Sequence, residues 1–176
     1  MYPRKCLEKI KRYLDTPDII VIHGARQTGK TTLLRLIMQE VSQQDSAYFD
    51  LEDKRLHEIC EKGAETIKQY LQQKGLLKSQ EKFYLFIDEI QYLSNPSSLL
   101  KIFHDHFPVI KIIASGSSSF NIKKKFKDSL VGRTVNFELF PLDFEEFLIF
   151  KEKDIQLRET ITINAIIKEL DNLNKE

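Results

Sequence analysis

Short apolar runs alternate along this chain with longer stretches whose apolar residues recur at helical spacing. Residues 4–14 predict a short leading helix, and the apolar run Ile19–Ile22 predicts a strand over about Ile19–His23. A helix follows to about Gln43, then a strand at Ala47–Asp50. Within residues 55–73, Ile59, Ala64, Ile67, Tyr70 and Leu71 fall at helical spacing, and Gly75 ends the pattern. Phe83–Ile87 is an apolar run of the kind buried on both faces of a parallel sheet. A helix at Ser98–Phe107, a strand at Val109–Ala114, a helix at 120–131 and a last strand at Val135–Leu139 complete the series. Strand and helix in alternation predict an α/β fold around a parallel sheet. No internal repeat or low-complexity stretch interrupts it.

The link between the first strand and the first long helix carries the strongest chemical signal. It reads Gly24-Ala25-Arg26-Gln27-Thr28-Gly29-Lys30-Thr31, a complete G-x-x-x-x-G-K-[ST] phosphate loop in its required strand–loop–helix setting. Its glycines let the backbone curl until successive N–H groups converge on phosphate oxygens. The helix N-terminus adds partial positive charge at the same place. The spacing gives Lys30 the β- and γ-phosphates of a nucleoside triphosphate, and Thr31 a hydroxyl for Mg2+. Residues 24–32, including Thr32 in the first helical turn, form the predicted nucleotide contact.

A second element answers the first. Tyr84-Leu85-Phe86-Ile87-Asp88-Glu89 is an apolar strand delivering two carboxylates to the sheet's carboxyl edge, where α/β proteins hold ligands. Asp88 is placed to hold Mg2+ directly or through water. Glu89 is placed as the base that activates the attacking water, a role worth roughly 10²–10⁴-fold. Alone, the pattern suits an exposed acidic turn equally well; the loop upstream decides for chemistry.

Several stretches taken in order resemble one family. They are residues 23–34, Tyr48-Phe49-Asp50-Leu51-Glu52-Asp53, Leu85-Phe86-Ile87-Asp88-Glu89-Ile90-Gln91, Ile113–Ser119, Leu130-Val131-Gly132-Arg133 and Phe137–Leu148. The resemblance is to the N-terminal ATPase domain of a prokaryotic AAA+-type family whose members usually carry a C-terminal domain of unknown function. It implies a three-layer P-loop NTPase with a five-stranded parallel sheet in AAA-type order, the loop strand lying between the third and the last. It implies that Ser115, where such proteins usually show Thr, senses the γ-phosphate or attacking water. Read from the residues alone, 115–119 is equally a polar loop and helix cap. The resemblance also makes Arg133 an arginine finger reaching a neighbouring copy, a role worth roughly 10³–10⁵ in rate. The plain alternative is a surface Arg paired with a carboxylate.

Remaining candidates are weaker. Arg26 suits a phosphate, a partner or a local salt bridge, and Asp50 suits Mg2+ placement or a turn cap. Lys123, Lys124, Lys125 and Lys127 alternate with Ile122, Phe126 and Leu130 as a solvated helix face. His104 and His106 lack the facing geometry of a metal pair. Asp143-x-x-Glu146 is a capping box.

Composition narrows the picture little. Lys and Arg number 27 against 26 Asp and Glu, so net charge gives no reason to expect nucleic acid or an anionic membrane as partner. Cys6 and Cys60 stand far apart and imply neither disulfide framework nor zinc site. No apolar run reaches membrane-spanning length and no signal core follows the N-terminus, so a cytoplasmic chain is expected. The expected division is an ATPase domain at 1–150 and a helical extension, or the start of a shortened lid, at 151–176. Ile163, Ile166, Ile167, Leu170 and Leu173 mark one amphipathic helix there. The sum is an ATP- and Mg2+-dependent ATPase domain, with a homo-oligomer, a C-terminal domain or another protein as partner. A nucleotide switch with little turnover and a nucleic-acid-directed ATPase are the other two readings.

Overall fold

The computed structural model describes residues 4–41, 45–77, 82–117 and 130–151. Five strands form the sheet: β1 Ile19–Gly24, β2 Ser46–Asp50, β3 Phe83–Asp88, β4 Ile110–Ser117 and β5 Thr134–Glu138. Among the described residues, six α-helices accompany them: α1 Lys5–Lys11, α2 Lys30–Gln39, α3 Lys54–Glu61, α4 Ala64–Gln73, α5 Pro96–His106 and α6 Phe144–Phe150, with one 3-10 turn at Ile90–Tyr92. All four strand pairings are parallel, and the order is β2-β3-β4-β1-β5.

Alternation along the central strands divides the core into two layers. Ile19 and Val21 of β1, with Leu85 and Ile87 of β3, join Ile67, Leu71, Leu100 and Phe103 from α4 and α5. Ile20 and Ile22, with Phe86 and Ile113, face Leu7 and Ile10 of α1 and Leu33, Leu34 and Ile37 of α2. Helices on both faces make three layers and leave ligands the carboxyl edge.

The loop strand has β4 and β5 as its neighbours, not the third strand as expected. The reason lies in β4, whose first seven residues are all buried; such a strand belongs inside a sheet, between β3 and β1. The order places Ser115 next to Asp88, since Ile87 pairs with Ala114.

Other differences are local. The expected helix over 55–73 is two helices, because Gly63 takes a φ of 99° that ends α3 and starts α4. Gly75, at φ 68°, closes α4 with the paired bonds of a Schellman turn: its N–H reaches Gln72 O at 2.9 Å and the Leu76 N–H reaches Leu71 O at 3.0 Å. Helix α5 starts two residues early, on the signals of Asn95, which accepts from the Ser98 N–H, and of Pro96 at its first turn. Helix α2 ends at Gln39. The expected helix at 120–131, with its lysines, lies almost wholly outside the described residues, as does the segment 152–176. The capping box is formed: Asp143 accepts from the Glu146 N–H at 2.8 Å, and Glu146 accepts from the Asp143 N–H at 3.2 Å. Among the described residues, no helix is long and apolar enough to cross a membrane.

Candidate functional site

The phosphate loop is shaped by two tight constraints. A Cβ on Gly24 would stand 2.3 Å from the Leu139 carbonyl oxygen, so only glycine lets β1 end beside the exit of β5. Gln27 and Gly29 have φ of 64° and 90°, which curls the loop before α2 begins. The Thr28 hydroxyl closes the curl by donating to Ala25 O at 3.0 Å. Ala25, Arg26 and Gln27 form an exposed crest, and Thr32 is exposed in the first turn of α2. Lys30 is buried, and its ammonium donates to Ala25 O at 2.8 Å and Gly24 O at 3.2 Å.

Asp88, at the end of β3, is 2% exposed and receives four donors. Oδ2 accepts from the Thr31 hydroxyl at 2.7 Å and from the Tyr48 phenol at 2.6 Å. Oδ1 accepts from the Ser115 hydroxyl and from the Glu89 N–H at 3.1 Å. Four donors match the four lone-pair sites of a carboxylate, so its orientation is fully determined. Thr31 gives its one proton to Asp88 and keeps its lone pairs. That oxygen suits a hard cation, with Asp88 holding the ligand from behind. Burial and the bonded Asp88 carboxylate hold the Tyr48 phenol above its usual range, which keeps it a donor.

Glu89 follows in a left-handed conformation at φ 56° and ψ 43°, uncommon for a residue with a side chain and frequent at functional sites. Its carboxylate accepts from the Gln91 side-chain amide, whose oxygen in turn accepts from the Ser117 N–H at 3.0 Å. Glu89 lines a cavity of about 430 Å³ together with Arg26, Gln27, Gly29, Lys30, Thr31 and Glu52. Loop, hydroxyl and carboxylates thus meet at one edge, in a volume suited to a small ligand.

Not every expected residue joins them. Arg133 precedes β5 at the opposite, amino edge, where its carbonyl accepts from the Ile19 N–H at 2.8 Å. Its guanidinium bonds Asp105 at 2.8 and 3.2 Å, and Asp105 also meets His104 Nδ1 at 2.9 Å. Within one chain, Arg133 does not reach the loop. Asp50 pairs in register with Asp88, yet its carboxylate accepts from the Glu52 N–H at 2.9 Å, the turn-cap alternative.

Three participants were not singled out by the sequence. Tyr48 and Gln91 fall within recognisable motifs, but only side-chain geometry shows what they hold. Arg4 is the third. It lies outside every motif, is 9% exposed, and donates to the Thr28 carbonyl of the loop at 2.9 Å.

A parallel sheet in this order, with a phosphate loop after β1 and an acidic pair at the end of β3, defines a P-loop AAA+-type ATPase domain. The chain belongs to the AAA domain family, whose model matches residues 16–148. A Methanocaldococcus jannaschii protein, the uncharacterised MJ1637, is 29% identical over 96% of this chain and 36% of its own length. An uncharacterised Haemophilus influenzae protein is 31% identical over 86% of this chain and 38% of its own. The chain therefore spans little more than a third of the relatives it matches. Among solved structures, Aeropyrum pernix ORC1 in complex with DNA superposes with a TM-score of 0.62 at 12% identity, covering 100% of this chain and 56% of that one. AMPPCP-bound DnaA from Aquifex aeolicus gives 0.52 at 19% identity, covering 95% and 59%. At such identities the likeness concerns the fold alone.

Proposed function

We propose that this chain binds ATP with Mg2+ and hydrolyses it to ADP and phosphate, driving a conformational change. The observation that carries the reading is the Thr31–Asp88 hydrogen bond, 2.7 Å long, beside the cavity that Glu89 lines. Residues 24–32 hold the phosphates, and Lys30 exchanges its two loop carbonyls for phosphate oxygens. Thr31 would ligate Mg2+, with Asp88 behind it, and the ion would neutralise charge on the phosphate oxygens. Glu89 takes a proton from water as the water oxygen bonds the γ-phosphorus. The bond from that phosphorus to the bridging oxygen breaks, and ADP leaves with that electron pair. Ser115 fixes Asp88 from β4. Arg133 enters only as a group offered to a neighbouring copy's site. Residues 1–150 form the catalytic unit in this reading, and 151–176 continue from it.

A second reading rests on the Gln91 amide, which engages the Glu89 carboxylate. A glutamate held in that way suits a nucleotide switch with little turnover. Steady-state phosphate release decides between the two. Glu89→Gln is expected to slow release roughly 10²–10⁴-fold while leaving Mg·ATP binding intact. Binding without turnover, unchanged by the substitution, defeats hydrolysis and favours the switch. The same assay with and without DNA at low salt tests direction by nucleic acid, since a DNA-dependent enzyme accelerates.

A further inference from the structure

A peptide group is planar and trans, so its C=O and N–H point in opposite directions. Whatever fixes a carbonyl on one side therefore aims the following amide to the other. In the phosphate loop, the carbonyl of Thr28 is fixed by Arg4, whose Nη1 donates to it at 2.9 Å. The same Nη1 would lie 3.3 Å from a Cβ on Gly29, so the guanidinium packs directly against the loop's last glycine. The Gly29 N–H, on the opposite side of that peptide, is thereby turned away from Arg4.

Arg4 is itself held from three sides. Its Nη2 donates to Phe140 O at 2.8 Å, just beyond β5. Its Nε donates to Glu146 Oε1 at 3.1 Å, and these side chains are 9% and 8% exposed. Glu146 Oε1 also accepts from the Lys5 N–H at 2.8 Å, and Oε2 from the Asp143 N–H at 3.2 Å. A buried ion pair in which each guanidinium nitrogen donates and each carboxylate oxygen accepts is tightly restricted in arrangement, and the loss of either partner is penalised. An arginine is suited here because its fork serves three acceptors in different directions, which an ammonium on a flexible stem does not do.

We propose that Arg4 and Glu146 form a positioning pair that sets the Thr28–Gly29 peptide for phosphate, so that α6 is coupled to the nucleotide loop through a single buried guanidinium. This rests on the reading of the loop as a nucleotide site and adds two residues and a route to it. The pair joins the first described turn of the chain, the end of β5 and the start of α6 at the underside of the loop. A shift of α6 relative to the sheet moves Glu146, and Arg4 carries that shift to the Thr28 carbonyl.

The experiment uses the chain as it stands, with Mg·ATP and Mg·ADP affinities, kcat and KM for phosphate release, and thermal midpoints. Arg4→Lys retains a cation beside Glu146 and loses the fork. Weaker binding of both nucleotides by about tenfold to a hundredfold, the range for a lost charged hydrogen bond, is expected, with kcat at saturation near the wild-type value. Arg4→Ala should recover affinity in millimolar guanidinium, which fits the space the side chain leaves. Glu146→Gln keeps the Oε1 acceptor without its charge and should weaken binding by a smaller factor. Arg4→Lys with wild-type affinities overturns the proposal. Should that variant not fold, unchanged affinities in Glu146→Gln overturn it instead. A wild-type chain that binds no nucleotide refutes the functional reading, and this one with it. A wild-type chain that binds normally beside an equally tight Arg4→Lys refutes the positioning pair alone.

Discussion

Asp88 shows how much of a site is decided by the groups behind it. Three hydroxyls and one amide hold its carboxylate, contributed by α2, β2, β4 and its own chain neighbour. Each comes from a different part of the sequence, so no local pattern announces the cluster. The aspartate itself is legible, because an apolar strand that ends in Asp-Glu after a phosphate loop has few other uses. Tyr48 is not legible in this role, since a tyrosine in a strand is ordinary until its hydroxyl is seen on a carboxylate. Removing that hydroxyl leaves a buried charge short of one donor. Tyr48→Phe is expected to lower folding stability by about 1–3 kcal/mol, measured by urea unfolding. Stability equal to wild type would mean that water takes the phenol's place.

At the scale of elements, α6 is short but firmly placed by its capping box and by the Arg4 contact. Burial pushes the Glu146 carboxyl up, but the Lys5 and Asp143 N–H groups and the Arg4 guanidinium outweigh it and hold the pKa below its ordinary 4.5. The unfolded chain thus binds the proton first as pH falls. Glu146 contributes stability above about pH 4.5 that is lost as pH drops through its depressed native value. Glu146→Gln should flatten that acid limb in unfolding measured from pH 7 down to pH 3, and parallel curves for the two proteins would contradict it. Helix and strand identities were largely readable here, because period-2 and period-3.6 patterns report burial directly. Boundaries were less so. Gly63 sits inside an otherwise continuous helical pattern, and its break depends on a backbone angle rather than a side chain. Asn95 and Pro96 did carry a start signal, two residues ahead of the apolar periodicity.

The whole molecule has two unlike edges. The carboxyl edge gathers the loop, Asp88 and Glu89, while the amino edge carries Arg133 on Asp105. Parallel strand direction determines this separation, since Arg133 precedes β5 while the loop and the two acids come at the ends of β1 and β3. The strand order was only partly legible, because pairing depends on which strands are buried on both faces, a property of the finished sheet. An arginine at the amino edge serves a phosphate loop only across a contact between copies. If it does so, phosphate release per chain rises with chain concentration in the wild type, and Arg133→Ala removes that rise. Release per chain that is independent of concentration in both proteins assigns Arg133 to its surface pair with Asp105.

Lys30 has a consequence for selectivity. Its ammonium already has two partners, the carbonyls of Gly24 and Ala25. A ligand that enters the loop therefore competes with the protein's own backbone for this cation. Peptide dipoles are weak rivals for a polyphosphate but respectable ones for a single phosphate. On the proposed reading, the loop's self-contact favours a polyphosphate over a single phosphate as the group that takes Lys30 from these carbonyls.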